Sequence, residues 1–82
     1  MTPAEFTALS VEEQMDALYY EADVLANRYE DAYIFLLYHL YDFFVELRYD
    51  AHSNQLRQVS AFRSTDRLEV YLPYLPELEW LK

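Results

Sequence analysis

The apolar positions of this chain change their spacing as it runs, and each change marks an expected element. Val11, Met15, Leu18, Ala22 and Leu25 recur at steps of four and three, so helical winding gathers them on one side, while Glu12, Glu13, Asp16, Glu21 and Asp23 fall largely elsewhere. The spacing predicts a helix over residues 11 to 27, its stripe directed into the core. Ser10 precedes it with Glu13 three positions on, a capping box whose acids also lie where the helix dipole favours negative charge. Thr2-Pro3-Ala4-Glu5 carries the same signal with Pro at the first helical position, and predicts one or two helical turns.

From Ala32 the texture turns aromatic and branched. In Phe43 to Asp50 the residues alternate, with Phe43, Val45, Leu47 and Tyr49 on one face and Phe44, Glu46, Arg48 and Asp50 on the other, as in a half-buried strand. Ala32 to Tyr38 is apolar on both faces, so periodicity alone leaves residues 32 to 40 open between strand and helix; length and aromatic content favour a strand. His39 to Asp42 would join these two strands, and Asp50 to Asn54 would lead to a third over residues 55 to 63. There Leu56, Val59 and Phe62 are three apart and share a face only if the strand bulges. Ser64-Thr65-Asp66 then starts a short helix with Leu68, Tyr71 and Leu72 as its stripe, to stop before Pro73. The tail from Tyr74 to Leu81 is apolar enough to pack against the rest.

The expected fold is α+β: N-terminal helices, a three-stranded antiparallel β-meander, a short C-terminal helix and a packed tail, in one domain over residues 1 to 82. The long helix should cover one sheet face.

Composition narrows the chemistry. With no Cys, disulfides, thiolate catalysis and Cys-based metal sites are excluded. With no Gly, phosphate-cradling loops, dinucleotide fingerprints and the nucleophile elbow of hydrolases drop out together, and turns fall to Asn, Asp, His and Ser. The net charge of −9 is uneven: residues 1 to 31 hold eight acids against Arg28 alone. Nucleic acid phosphates and anionic membranes would repel such a chain, so neither is an expected partner and a basic or neutral protein is. No signal-peptide pattern or spanning stretch is read, and the expected location is the cytoplasm.

For a metal, His39, His52, Asp50 and scattered carboxylates show no ligand spacing, and both His fall in expected turns; no metal and no cofactor is read. Glu46 is the one acid inside an apolar strand, with Arg48 two along on its face and Arg57 and Arg63 expected to approach from the third strand. An ion-pair cluster is the plain reading and general acid–base catalysis the sharper one. Nine Tyr in 82 residues suit a boundary where rings are buried and hydroxyls wet, and an open meander leaves two edges to cover or pair. Glu46, Arg48, Tyr38, Tyr41 and Tyr49 are the candidate contact residues.

Phe6-Thr7-Ala8-Leu9-Ser10-Val11-Glu12-Glu13-Gln14, then Phe43-Phe44-Val45-Glu46, then Asn54-Gln55-Leu56 and the run from Phe62-Arg63-Ser64-Thr65-Asp66 to Leu72 resemble a family of small uncharacterised bacterial proteins, over nearly the whole chain. That family often has a small residue such as Gly between an Asp and its F-x-V-E run; here Phe43 follows Asp42 directly. The resemblance implies a compact one-domain bacterial protein and assigns no residue a role.

The expectation is thus a non-enzymatic protein–protein interaction module that associates with itself as a homodimer, through a sheet edge or a Tyr-rich face. The alternative is an acidic binder or inhibitor of a basic protein, nucleic-acid mimicry included, through residues 12 to 31. A third is a small enzyme built on Glu46.

Overall fold

The computed structural model describes residues 1–74. Helices α1 (Pro3–Ala8) and α2 (Val11–Glu21) begin where the capping boxes place them. Thr2 N donates to Glu5 Oε1 at 2.8 Å while Thr2 Oγ1 accepts from Glu5 N at 3.1 Å, and Ser10 and Glu13 exchange the same bonds at 3.1 Å each. Buried Gln14 donates from Nε2 to the Phe6 carbonyl at 3.1 Å, which ties the end of α1 to α2.

Four antiparallel strands follow, β1 (Asp23–Glu30), β2 (Tyr33–Leu40), β3 (Phe43–Asp50) and β4 (Leu56–Phe62), in the spatial order β1-β2-β3-β4. A 3-10 segment, Thr65–Tyr74, closes the described chain. The α+β class, the N-terminal helices and the antiparallel sheet are as expected, but the sheet has four strands rather than three. The helix expected to reach residue 27 ends at Glu21, and the chain from Asp23 pairs with β2 instead.

The reason lies at Leu25. The β1–β2 register slips between Val24 and Ala26, and Leu25 and Ala26 both pack toward the cluster around Leu37. This bulge erases the two-residue alternation that would have announced a strand, and leaves Leu25 three after Ala22 in apparent helical phase. Sheet pairing then outweighs the local pattern: Val24, Asn27 and Tyr29 are indifferent helix formers, and without β1 the doubly apolar β2 would be a bare edge.

Both faces of the sheet carry a cluster. On one side Phe6 and Leu18 pack over Leu40, Phe43, Val45 and Leu47, with the Phe6 and Phe43 rings edge-on at 6.1 Å. On the other, Leu68 and Tyr71 of the 3-10 segment cover Leu37, Phe44 and Phe62. The helices therefore do cover one face, but α1 supplies the fully buried Phe6, and Val11, expected in the stripe, is exposed. The 3-10 segment runs through Pro73 instead of stopping before it. Its turns bond i to i+3 and lack the contact with the i−4 carbonyl through which Pro breaks an α-helix.

Turns are made without Gly. Asp31, Tyr41 and Asn54 take positive φ, 55°, 54° and 59°. After β3, Asp50 Oδ1 accepts from the backbone N–H of His52 at 2.8 Å and of Ser53 at 3.2 Å. His52 is a turn residue as expected. His39 is not, because fully buried Leu40 draws β2 two residues further and leaves only Tyr41-Asp42 to connect to β3. In β4 the register slips where Tyr49 meets Leu56, past Arg57, so Leu56 and Val59 share the helix side while Phe62 faces the other. The apolar tail expected to pack lies, from Leu75 on, outside the described residues. No helix among the described residues is long and apolar enough to cross a membrane.

Candidate functional site

Glu46 sits in the middle of β3 on the face covered by the 3-10 segment, its side chain 14% exposed. Tyr71 Oη donates to Glu46 Oε2 at 2.7 Å, Arg67 Nη2 donates to Oε1 at 3.3 Å, and Arg28 Nη2 stands 3.9 Å from Oε2. Three elements thus converge on one carboxylate: β1 through Arg28, β3 itself, and the 3-10 segment through Arg67 and Tyr71. Arg28 also pairs with Glu30 and lies over the Phe35 ring at 4.0 Å, and Arg67 lies over Phe62 at 4.1 Å.

Burial, then the hydrogen bond to Glu46 and the nearby negative charge, push the Tyr71 phenol far above its ordinary range, against a smaller opposing pull from Arg28. For Arg28, burial works against the charge, but hydrogen bonds to Glu30 and Tyr71 more than offset it, so its pKa is raised. The contacts of Glu46 with Tyr71 and Arg67 hold the 3-10 segment to the sheet, while Arg28 braces the carboxylate from β1 and keeps its buried Nε without a hydrogen-bond partner. That is the geometry of a clasp, with one carboxylate accepting from Tyr71 and Arg67 and facing a third donor in Arg28.

The expected companions of Glu46 are elsewhere. Arg57 pairs with Asp50 at 3.4 Å and Arg63 with Asp42 at 3.3 Å. Arg48 shares the face of Glu46 but stacks over Tyr33 at 4.8 Å, its buried Nε without a hydrogen-bond partner. Tyr38 and Tyr49 lie on the opposite, helix-side face, half-buried against the core, and burial followed by the charge of Tyr49 raises the Tyr38 phenol. Tyr41 is in the β2–β3 turn, its ring 6.4 Å from that of Phe43. The five candidate contact residues are therefore spread over two faces and a turn and form no single site. Among the described residues no group of three or more His, Asp or Glu is placed to hold a metal.

A different surface emerges on the helix side of β1. Helix α1 lies over β4 and α2 over β2, which leaves β1 uncovered there. By the register with Tyr38, Leu36 and Ile34, the residues Val24, Asn27 and Tyr29 share that face. Val24 is 66% exposed and, further along the strand, Tyr29 70%; at the end of α2 Tyr19 and Tyr20 are 81% and 77% exposed, their rings edge-on at 4.9 Å. A groove of ≈ 270 Å³ runs between α2 and the sheet, lined by Met15, Leu18, Tyr19, Ala22, Val24 and Tyr38. Of the candidate residues only Tyr38 reaches it. A helix read through residue 27 hides the remainder, since it turns Val24 and Tyr29 into ordinary helix and linker positions; the available signal was Tyr19-Tyr20, two aromatics lying off the apolar stripe.

No protein-family model, no curated protein and no solved structure matches this chain.

Proposed function

We propose that this chain is a non-enzymatic protein–protein interaction module whose contact surface is the uncovered strip formed by Tyr19, Tyr20, Val24 and Tyr29. The observation that carries this reading is a contrast across the sheet: on the helix side β3 buries Phe43, Val45 and Leu47, while β1 on the same side leaves Val24 66% and Tyr29 70% exposed. Three Tyr at such exposure, with Val24, offer roughly 500 Å² of contact, within the size range in which a monomer's largest patch is often functional. Tyr also gives up little side-chain entropy on binding and presents a wet hydroxyl beside an apolar ring.

Self-association is a second form of the same reading, favoured by the outer edge of β1, which has no neighbour strand among the described residues. Two features weigh against edge pairing. The bulge at Leu25 interrupts the ladder, and Asp23, Glu30 and Asp31 place acids at both ends of the strand.

The test is site-specific photo-crosslinking in the cell, with benzoylphenylalanine replacing Tyr29 in one variant and Leu72, exposed on the opposite side, in another. A discrete adduct from position 29 and none from position 72 is the expected result. Equal adducts from both positions, or none from either, would refute the assignment.

A further inference from the structure

We infer that the groove between α2 and β1 docks a cationic amphipathic segment of another protein, a basic stretch that carries an apolar face. This rests on the interaction-module reading and adds the chemistry of the partner. The groove itself is lined by apolar side chains and the ring of Tyr38, which calls for apolar anchors. Its surroundings call for positive charge. Glu12, Asp16, Glu21 and Asp23 are all exposed on α2 and at the start of β1, and none of them takes part in an ion pair among the described residues.

The five arginines, all among the described residues, are committed elsewhere. Arg28 and Arg67 are committed to Glu46, Arg57 and Arg63 to Asp50 and Asp42, and Arg48 stacks on Tyr33 on the opposite face. An apolar trough whose lining residues Met15, Ala22 and Val24 are neighboured in the chain by the exposed, unpaired Asp16, Glu21 and Asp23 is complementary to apolar anchors flanked by Lys or Arg.

A second copy of the chain fits less well. A two-fold interface through this surface would bring two acidic faces together, between chains that each carry −9. The strip of roughly 500 Å² also falls short of the about 800 Å² per partner that stable complexes bury. The chain's own last residues, 75 to 82, carry Glu77 and Glu79 against Lys82, so their charge is wrong for the same rim. A small apolar contact completed by charge is the signature of a transient partner with steep salt dependence.

The experiment titrates the full chain into a fluorescein-labelled Lys/Leu amphipathic peptide of about 15 residues, long enough to form a marginal helix. Its counterpart has Gln at every Lys position. Anisotropy is read at low and at physiological ionic strength. The expected result is saturable binding of the Lys peptide, weakened about tenfold or more on going to physiological salt, with the Gln peptide at least about tenfold weaker than the Lys peptide at low salt. Glu21→Lys with Asp23→Lys should weaken Lys-peptide binding about tenfold, whereas Asp66→Lys with Glu69→Lys, the same charge change on the 3-10 segment, should leave it nearly unchanged. Val24→Ser with Tyr19→Ser should weaken both peptides. All six positions but Tyr19 are charged or small and all are exposed, and circular dichroism of each variant is the control for folding.

Equal losses from the two charge reversals would show attraction to net charge and overturn the site. Equal affinity for the Gln peptide would overturn the call for cations, and a dimer whose formation the Val24→Ser, Tyr19→Ser variant abolishes would assign the groove to a second copy. If the Lys peptide does not bind while position 29 still crosslinks in cells, the partner chemistry falls and the module reading stands; absence of both removes both.

Discussion

Removing the hydroxyl of Tyr71 tests whether the 3-10 segment is held to the sheet as the structure has it. Tyr71 is fully buried and donates at 2.7 Å to a Glu46 carboxylate whose side chain is only 14% exposed. A hydrogen bond to a charged partner contributes about 1.5–3 kcal/mol. Because Glu46 keeps Arg67 at 3.3 Å and Arg28 at 3.9 Å, Tyr71→Phe belongs at the low end, about 1.5–2 kcal/mol. Glu46→Gln should cost more, about 2–3 kcal/mol, since it strips a charge partner from nearly buried Arg28, while Glu30 limits the damage. A domain of this size loses roughly 4–8 °C of Tm per kcal/mol, so Tyr71→Phe should melt roughly 10 °C lower. Urea denaturation of the two single variants and the double variant, followed by circular dichroism, closes the cycle. The double variant should be less destabilised than the sum of the singles by about 1–2 kcal/mol. Additivity to within about 0.5 kcal/mol would mean that the two groups do not interact, and the clasp would be refuted.

Other outcomes follow from the same contacts. Folding raises the Tyr71 and Tyr38 phenols above their ordinary value of 10.0, so it favours their protonated forms; stability should be full below pH 10 and fall as pH rises beyond it, and Tyr71→Phe should flatten that decline in alkaline urea titrations. Glu13, held by the backbone N–H of Ser10, and Asp50, held by those of His52 and Ser53, sit below their ordinary values of 4.5 and 3.8; their contribution should be present above those values and be lost as pH falls through them, an acid limb that Glu13→Gln should reduce. Ser10→Ala should cost about 1 kcal/mol at neutral pH, measured by the same denaturation, through loss of the α2 cap. Tyr41→Gly should stabilise by about 1 kcal/mol because Tyr41 holds φ at 54° with its side chain half exposed; an unchanged or lower midpoint would mean that its contact with Phe43 outweighs the backbone strain.

The sequence announces those elements in which local chemistry and tertiary demand agree. Both capping boxes mark real helix starts, and the alternation from Phe43 to Asp50 gives the faces of β3 correctly, because a capped helix end and a strand with two distinct faces each carry their own signature. It misleads at β1, where one bulged residue converts a strand's period into something close to a helix's. That single misreading also hides the proposed contact surface, since Val24 and Tyr29 are recognisable as sharing an exposed face only once β1 is laid beside β2. Glu46 stands out as an acid in an apolar strand, but its partners Arg28 and Tyr71 are 18 and 25 positions away, and no local pattern links them.

Hydroxyl-radical footprinting of the tyrosines, in the purified chain and again inside the cell, tests the proposed contact surface most directly. Tyr19, Tyr20 and Tyr29 should be oxidised fast in the purified chain at low concentration and be protected in the cell, while Tyr71 stays unreactive in both. If Tyr19, Tyr20 and Tyr29 react at the same rate in both settings, nothing covers the strip and the interaction-module reading is contradicted.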